Sequence, residues 1–439
     1  MASTYLQRTP TTRTNNQKFT YSCWFKRSEL GTSQYFVINL ESGNDRGYVA
    51  FDTDNKMFIF DKAGGTDRFQ ATSNFVLRDT SAWYHLVYSV DSTAGSNRVK
   101  IYINGVDKYS DFTVATAMSQ NSTVGFQQGT VSNSFKVGSQ EAGNTTFNGL
   151  MSYINFVDGL QLDASAFGET DSTTGEWKIL TSPTVSEYGN NGFFILKNGN
   201  SLTDQSGKGN NLTLGAGTLT KTEDSPSNVF ATWNPLQATT SASYAFEAGN
   251  TRMSVNDAAV FSLGATLAAT TGKYYMEMKW VQQGGNGSWG MIPIDTNINN
   301  RPRDAGVGWN QGDNAPHLLG SIVSGSWGGS IGTSDIIQLA MDLDNGAFYF
   351  GKNGTYSNSG NPESGASKTG AAYAFTASSK LWFFAGGLNG TGSAVEANFG
   401  SPSFAISSGN TDGNGYGNFE YAPPSGYFTL CTKNLAEFG

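Results

Sequence analysis

The chain has 439 residues, of which 38% are hydrophobic and only 14% are charged, and it contains 54 glycines. This length exceeds what one compact core accommodates and predicts two domains, while so much glycine suits short strands and tight turns better than helices. The formal net charge of −8 argues against nucleic acid as a partner, because no basic patch offsets the repulsion from phosphates.

The N-terminal segment and the cysteines bear on the compartment. The first residues, MASTYLQRTPTTRTNN, are polar and lack an apolar core, and no apolar run is long enough to cross a bilayer. We therefore expect neither a signal peptide nor membrane insertion. Cys23 and Cys431 lie in strand-like apolar segments, and we expect two buried thiols.

In the first part of the chain, apolar and polar residues alternate with the period of two that is typical of strands. FTYSCWFKR at residues 19–27 is the first such segment, and Asn104-Gly105 marks a hairpin turn. One helical turn is predicted in DASAFGETD, at 163–171. The remaining predicted strands lie in YFVINLES (35–42), GYVAFDTD (47–54), KMFIFDKA (56–63), AWYHLVYSVD (82–91), RVKIYINGVDKY (98–109) and FNGLMSYINFVDGLQL (147–162).

Residues 172–238 differ in composition, with short apolar runs separated by Gly, Asn, Pro and Ser. The segment contains too many aromatic residues for a solvated tether, so it is predicted to be an ordered connector with one or two strands. Within it, LTDQSGKGNNLTL (202–214) is able to supply a strand to either neighbouring domain.

Strand patterns resume in the last part of the chain. Asp344-Asn345-Gly346 predicts a hairpin turn between two apolar segments. The predicted strands are KYYMEMKWV (273–281), GSWGMIPI (287–294), AGVGWNQ (305–311), the two arms of DIIQLAMDLDNGAFYFGKNG (335–354), KLWFFAGGL (380–388), AVEANFG (394–400) and GYFTLC (426–431).

Two family resemblances follow from these motifs. Residues 15–165 resemble laminin-G-like, concanavalin-type sandwiches, through FTYSCWFKRSE, WYHLVY, RVKIYING and GLMSYINFVDGLQL in that order. Residues 240–435 resemble the SPRY domain, through KYYMEMKW, GVGW, the DIIQLAMDLDNGAFYFGKNG hairpin, VEANFG and the PPSGYFTLC tail. The predicted fold is all-β: two tandem antiparallel β-sandwiches, concanavalin-like jelly rolls, at 1–171 and 239–439, joined by the connector at 172–238.

The combination of the two halves resembles structural proteins of tailed bacteriophages. It implies a virion protein, a tail-fibre-like adhesin that recognises a host-surface glycan or protein, contacts other virion proteins and forms a homo-oligomer. A capsid decoration or cement protein is the first alternative. A carbohydrate-active enzyme and an intracellular SPRY-type adaptor are further alternatives, since fold does not fix function.

Catalytic patterns are sparse, so we expect a protein that binds and does not catalyse. Glycosidases of concanavalin type need a carboxylate pair, commonly displayed as Glu-x-Asp-x-x-Glu, and Glu277 stands without such a partner in YMEMKW. His85 fits a strand histidine with satisfied hydrogen bonds, and His317 fits an exposed loop residue. Two isolated histidines suggest neither a catalytic triad nor a zinc site.

Two sets of residues are candidates for ligand binding. Trp327, flanked by Gly and Ser in SGSWGGS, is a candidate exposed ring for stacking on a sugar, or alternatively a cap on the second core. The other set lies in the loop NNRPRDAG, where SPRY-like domains vary their partner-binding loops. There Arg301, Arg303 and Asp304 are candidates for polar contacts, or alternatively ordinary solvated residues.

Calcium is the one cofactor that the laminin-G-like resemblance implies. Such domains often hold one Ca²⁺ at a loop rim with Asp side chains and backbone carbonyls. The candidate ligands are Asp45, Asp52, Asp54 and Asp158, each of which could instead form a turn.

Overall fold

The computed structural model describes residues 4–40, 45–126, 135–140, 145–197, 199–237, 244–256, 263–295, 301–325, 327–377 and 380–439. These residues form two compact units, Met1–Lys221 and Thr222–Gly439. The predicted all-β fold with antiparallel sandwiches is confirmed.

The first unit consists of short strands, in some of which buried and more exposed side chains alternate, while others are buried on both faces. Two 3-10 helices, Tyr109–Asp111 and Ala164–Ala166, interrupt them, and the second is the predicted helical turn. The strands are β1 (Tyr5–Arg8), β2 (Lys18–Arg27), β3 (Gln34–Leu40), β4 (Arg46–Phe51), β5 (Lys56–Ala63), β6 (Thr66–Val76), β7 (Tyr84–Asp91), β8 (Val99–Ile103), β9 (Val106–Asp107), β10 (Phe112–Thr116), β11 (Phe135–Val137), β12 (Gly149–Asp158), β13 (Gly168–Thr170), β14 (Trp177–Ile179), β15 (Phe193–Ile195) and β16 (Thr213–Ala216).

Two sheets pack face to face in the first unit. The larger sheet has the order β10-β6-β5-β4-β3-β11-β1-β16, and the smaller one has the order β15-β12-β2-β7-β8-β9. The core between them is rich in rings, and Phe19 stacks on Phe126 with centroids 4.8 Å apart. The predicted Asn104-Gly105 turn joins β8 to β9, and both residues adopt the positive φ that a tight hairpin requires.

The predicted connector does not form a separate element. Its first part, through β16, completes the first unit, because β15 pairs with β12 and β16 pairs with β1. The rest belongs to the second unit, where Phe230 bridges Cys431 and Trp233 bridges Ala265. The predicted domain boundary at residue 171 is therefore wrong. Strands β15 and β16 are too short to show a period in the sequence, and their partners are far away along the chain.

A polar network attaches this added segment to the N-terminal strand. The Arg8 guanidinium donates to the Asn191 carbonyl oxygen and to Asn210 Oδ1, both at 2.7 Å. Asp158 accepts from the backbone N–H groups of Thr14 at 2.8 Å and Asn191 at 3.1 Å. Asp204 organises the DQSGKGNN loop by accepting from the N–H groups of residues 194, 206 and 210.

The second unit has the same kind of construction. Its α-helices are α1 (Pro302–Ala305) and α2 (Thr432–Phe438), and its 3-10 helices are Pro235–Gln237, Ser357–Ser359 and Pro362–Ser367. The strands are β17 (Tyr244–Glu247), β18 (Arg252–Val255), β19 (Leu263–Gly264), β20 (Lys273–Gln282), β21 (Gly287–Pro293), β22 (Val307–Asn310), β23 (Ala315–Leu318), β24 (Ser321–Ile322), β25 (Ile336–Asp342), β26 (Ala347–Lys352), β27 (Thr355–Tyr356), β28 (Tyr373–Ala374), β29 (Trp382–Leu388), β30 (Ser393–Asn398) and β31 (Phe428–Thr429).

Two sheets again enclose the core of the second unit. One has the order β17-β18-β30-β20-β25-β26-β27, with β28 and β31 added beside it, and the other has the order β19-β29-β21-β22-β23-β24. The predicted turn at 344–346 joins β25 to β26, and Asp342 holds it by accepting from the Asn345 N–H at 2.9 Å. The pairs in both units are antiparallel except for β31 with β20.

The buried thiols and the buried histidine match their predictions. Cys23 and Cys431 are free and buried. His85 lies between the rings of Trp24 and Trp177, at centroid distances of 4.8 and 6.0 Å. Trp177 Nε1 donates to His85 Nδ1 at 3.0 Å, so the proton of the neutral ring lies on Nε2 and faces Ser22 Oγ at 2.9 Å. Burial lowers the pKa of His85 to about 3, which keeps this ring neutral.

Candidate functional site

The outer face of the larger sheet in the first unit carries a cluster of aromatic side chains. We call it the aromatic face and define it by Tyr35, Ile38, Tyr48, Phe58 and Phe60. Its position follows from register, because Ile38 pairs with Tyr48 and Tyr48 pairs with Phe60 across β3, β4 and β5. Directly paired residues point to the same side of a sheet, so these three side chains form one row, and Tyr35 and Phe58, which both pair with Ala50, form the next row.

The rings of the aromatic face are close enough to form a continuous surface. Tyr48 lies at its centre, with ring centroids 5.2 Å from Tyr35, 5.8 Å from Phe58 and 5.2 Å from Phe60. Tyr35, Tyr48 and Phe58 are half-buried, and they belong to none of the hydrophobic clusters that the described residues form. These three rings are therefore partly accessible, whereas Ile38 and Phe60 of the same face are buried, with 2% and 9% of their surface accessible.

Charged side chains border these rings. Arg46 lies two residues before Tyr48 on β4, hence on the same face, and it pairs with Lys62 of β5. Lys62 Nζ lies 3.7 Å from Asp67 Oδ1. On the other side, Lys136 pairs with Ile38, and its Nζ lies 5.2 Å from the centre of the Tyr5 ring.

The tyrosine hydroxyls of this face are neutral donors at physiological pH. Burial raises the pKa of Tyr48 to about 12, and the neighbouring Tyr35 raises it further, while Arg46 opposes the shift. Burial also raises the pKa of Tyr35, again against Arg46. Rings with flat apolar surfaces, neutral hydroxyls and guanidinium donors side by side match the alternating C–H and hydroxyl groups of a sugar.

None of the residues of the aromatic face was predicted from the sequence as a binding residue, although the sequence contains a signal for them. In KMFIF and GYVAF both faces of the strand are apolar: Met57 and Ile59 enter the core, while Phe58 and Phe60 point outward. Such a run is typical of a strand buried on both sides. The same apolar run also fits a strand with one buried face and one exposed apolar face. Only the assembled sheet distinguishes these two arrangements.

Trp327 is not the exposed ring that its Gly and Ser neighbours suggested. Only 7% of its surface is accessible, and its Nε1 donates to the Val323 carbonyl oxygen at 2.9 Å. The indole packs in the core of the second unit, which is the alternative stated above. The tryptophans of the strand-like segments are buried as well: Trp24, Trp83, Trp280, Trp309 and Trp382.

Arg301, Arg303 and Asp304 do lie together, because the short helix α1 brings them there. Asp304 carboxylate oxygens lie 4.0 Å from Arg301 Nε and 3.4 Å from Arg303 Nε. Beside them is the β23–β24 hairpin, where Leu319 is 66% and Ile322 is 61% exposed. This charged and apolar surface fits a partner contact, and its role as a binding site stays a prediction.

His317 is not an exposed loop residue, since it lies on β23 and only 5% of it is accessible. Its Nε2 faces Asp313 Oδ2 at 2.8 Å, and its Nδ1 faces the Gly320 carbonyl oxygen at 3.2 Å. The Asp-Asn-Ala-Pro-His sequence suggested a loop, but pairing of β23 with β22 draws the histidine inward.

The predicted calcium ligands do not form one site. Asp45 accepts from the N–H groups of Gly64 and Gly65, whereas Asp52 and Asp54 lie in the turn at the other end of β4. Asp158 lies on β12, in the other sheet. Across the described residues, no group of three or more His, Cys, Asp or Glu is placed to hold a metal ion. These residues therefore do not fit the implied calcium.

Glu277 is a structural anchor, since its two carboxylate oxygens are fully engaged. One accepts from the Tyr275 hydroxyl at 3.0 Å and the Tyr421 N–H at 2.7 Å. The other accepts from Asn398 Nδ2 at 3.2 Å and the Glu420 N–H at 3.0 Å. Burial raises the pKa of Glu277, and these hydrogen bonds oppose that shift.

Comparison with known families supports the fold of the first unit. Residues 2–164 match the Laminin_G_3 family, which is described as the concanavalin A-like lectin/glucanases superfamily. The aromatic face lies within that match. No curated protein matches the chain. In the described residues, no helix has the length and apolar character needed to cross a membrane.

Several solved structures are similar to parts of the chain. The SPRY domain of human HERC1 has 14% identity and a TM-score of 0.30, and the match covers 38% of this chain and 96% of that one. Another human SPRY domain has 17% identity and a TM-score of 0.28, with 35% and 93% coverage. A Bacteroides ovatus protein that is described as a carbohydrate binding protein has 15% identity and a TM-score of 0.34, and the match covers 50% of this chain and 57% of that one.

Proposed function

We propose that this protein binds saccharides, and that the aromatic face of its first unit is the binding surface. The observation that carries the proposal is the set of half-buried rings of Tyr35, Tyr48 and Phe58, outside every core cluster of the described residues. The match of residues 2–164 to a superfamily named for lectins and glucanases supports the same class of ligand.

In this proposal the rings supply contact area and the polar border supplies orientation. A sugar ring stacks its C–H face on Tyr48 and Phe58, which removes apolar surface from water at roughly 25 cal/mol per Å². The hydroxyls of Tyr35 and Tyr48 and the guanidinium of Arg46 exchange hydrogen bonds with the sugar hydroxyls. An open face of this kind gives weak single-site binding, on the order of millimolar or about −4 kcal/mol, and an oligomer would strengthen it by avidity.

We propose binding without catalysis. Hydrolysis of a glycosidic bond needs one carboxyl group that donates a proton and a second carboxylate across the bond. The carboxylates described next to the aromatic face act as acceptors instead: Asp45 receives two backbone N–H groups, and Asp67 lies beside Lys62. Release of reducing sugar from a bound polysaccharide would contradict this part of the proposal.

We also propose that the protein is an adhesive virion component of a tailed phage that attaches to a host-surface glycan. Its support is the sequence resemblance of the two halves taken together. Immunogold labelling of purified particles with antibody to this chain should mark the tail. Label on tail-less heads would instead favour capsid decoration, and unlabelled particles would contradict the virion assignment.

The test of saccharide binding uses the full chain on a saccharide array and then calorimetry with the best ligand. Tyr48→Ala and Phe58→Ala should each weaken binding by about tenfold or more, since each removes a stacking surface worth about 1.4 kcal/mol or more. Tyr102→Ala is the matched control. Tyr102 is a half-buried tyrosine of β8, in the smaller sheet, and its hydroxyl donates to Asp163 Oδ1.

Equal thermal stability of the three variants would show that the loss is local. If the wild-type chain binds no saccharide on the array, the proposal is wrong. It is also wrong if both Tyr48→Ala and Phe58→Ala bind as the wild type does.

A further inference from the structure

The charges beside the aromatic face narrow the class of saccharide, on the assumption that the proposed function holds. The whole chain has a formal net charge of −8, so an average surface would be acidic. The aromatic face is different, because its register places Arg46, Lys62 and Lys136 next to the rings. Two described carboxylates also lie on this border: Asp67 beside Lys62, and Asp45, which accepts from the N–H groups of Gly64 and Gly65.

Arg46 is the most informative of these cations. Its Nε is buried and has no hydrogen-bond partner among the described residues, and no described carboxylate forms an ion pair with it. A buried donor without a protein acceptor bonds an ordered water or a ligand, so the protein itself does not hold this guanidinium in place through Nε. The same guanidinium is close enough to Tyr35 and Tyr48 to influence the pKa of both.

The spacing fits a sugar that carries its own carboxylate. Arg46 and Tyr48 are on one face of β4, two residues apart, which is about 7 Å along a strand. A pyranose stacked on Tyr48 therefore places a substituent at the edge of its ring near Arg46. A guanidinium binds a carboxylate through two parallel N–H groups, and the end-on form of that pair uses Nη1 and Nη2, which leaves the buried Nε uninvolved.

Lys62 is a second cation beside the aromatic face that has donors for an anionic saccharide. Its Nζ lies 3.7 Å from Asp67 Oδ1, which is longer than a hydrogen bond, and Asp67 is 45% exposed. This loose surface pair leaves Lys62 donors for an anionic group on the next sugar of a chain. We infer that the ligand of the aromatic face is an acidic saccharide whose uronic-acid carboxylate binds Arg46 while its ring stacks on Tyr48.

The experiment compares ligands that differ only in charge. Full-length protein is titrated with oligogalacturonate, with the methyl ester of the same oligosaccharide, and with dextran sulfate as a sulfate-bearing anion. The acid should bind about tenfold tighter than its ester, a typical gain for a charge-assisted hydrogen-bonded pair, and this advantage should shrink as salt rises from 0.05 to 0.5 M.

Variants assign the effect to Arg46. Arg46→Gln should abolish the preference for the acid, while the ester loses only the hydrogen bonds that Arg46 makes to sugar hydroxyls. Arg46→Lys should keep part of the preference, because the charge remains without the planar fork. Arg78→Gln is the matched control, because Arg78 is an exposed arginine of the same unit. Circular dichroism and the thermal midpoint of each variant verify the fold.

The outcomes separate this inference from the proposed function. Equal binding of acid and ester, or an Arg46→Gln variant that keeps the preference, overturns the acidic-saccharide inference while saccharide binding stands. Dextran sulfate that binds as tightly as oligogalacturonate, and is insensitive to Arg46→Gln, also overturns it in favour of unspecific charge attraction. If none of the saccharides binds the wild type, the proposed function itself fails.

Discussion

Asp61 supplies a quantitative prediction about the sheet that carries the aromatic face. Asp61 lies on β5 with its side chain fully buried, and its oxygens accept from the N–H groups of Gly125 at 2.7 Å and Phe126 at 2.9 Å. Burial raises the pKa of Asp61 from 3.8 to about 7, against these hydrogen bonds and the charge of Arg68. The native state therefore holds a proton here that the unfolded chain releases.

The sign of the pH dependence follows from linkage. Between about pH 4 and pH 7 the folded state binds the proton more tightly than the unfolded chain does. The contribution of Asp61 to the free energy of unfolding is therefore largest below about pH 4, and it is lost as the pH rises through about 7. The raised pKa of about 7 against 3.8 corresponds to about 4 kcal/mol across that window. Asp61→Asn removes the titration and costs a roughly constant 1–3 kcal/mol, because one buried N–H loses its acceptor.

The assay is urea unfolding of wild type and Asp61→Asn from pH 4 to pH 8, with the protection of β2 against hydrogen exchange as the report on the first unit. The free energy of unfolding of the wild type, minus that of the variant, should fall by about 4 kcal/mol as pH rises from 4 to 8. A difference that is independent of pH would show that the pKa of Asp61 is not higher in the folded state than in the unfolded chain.

Three further changes test other parts of the structure. Trp327→Ala should destabilise the second unit by about 3–5 kcal/mol in urea unfolding, as expected for a buried indole, and leave saccharide affinity unchanged. Asp158→Ala should destabilise the first unit by about 3 kcal/mol, because two backbone N–H groups lose their acceptor. Trp177→Phe should cost the first unit about 1–3 kcal/mol, since His85 Nδ1 then has no donor. Wild-type stability in either of the last two would contradict the attachment of residues 172–221 to the first unit.

The sequence was sufficient for the strands and hairpins, because their signals are local. Alternation at period two located β2, β8 and β20, and Asn104-Gly105 and the 344–346 segment are turns for the reason predicted, since Gly supplies the positive φ. The division of the connector was not accessible in this way. A three-residue strand such as β15 has no measurable period, and its pairing with β12 is a property of the assembled sheet.

The candidate site shows the same limit. Small polar neighbours suggested that Trp327 was exposed, but long-range packing and the bond to Val323 bury it. The outward rings of the aromatic face lie in strands whose sequences resemble buried ones, and only the register of β3, β4 and β5 brings Tyr35, Tyr48 and Phe58 together. Arg301, Arg303 and Asp304, which are close in sequence, were found together because a short helix holds them.

A crystal structure of the full chain with a bound oligosaccharide tests the central claim most directly. We expect a sugar ring stacked on Tyr48 and Phe58, with its polar edge towards Arg46. A sugar bound instead beside Arg301, Arg303 and Asp304 in the second unit, with the aromatic face empty, would contradict it.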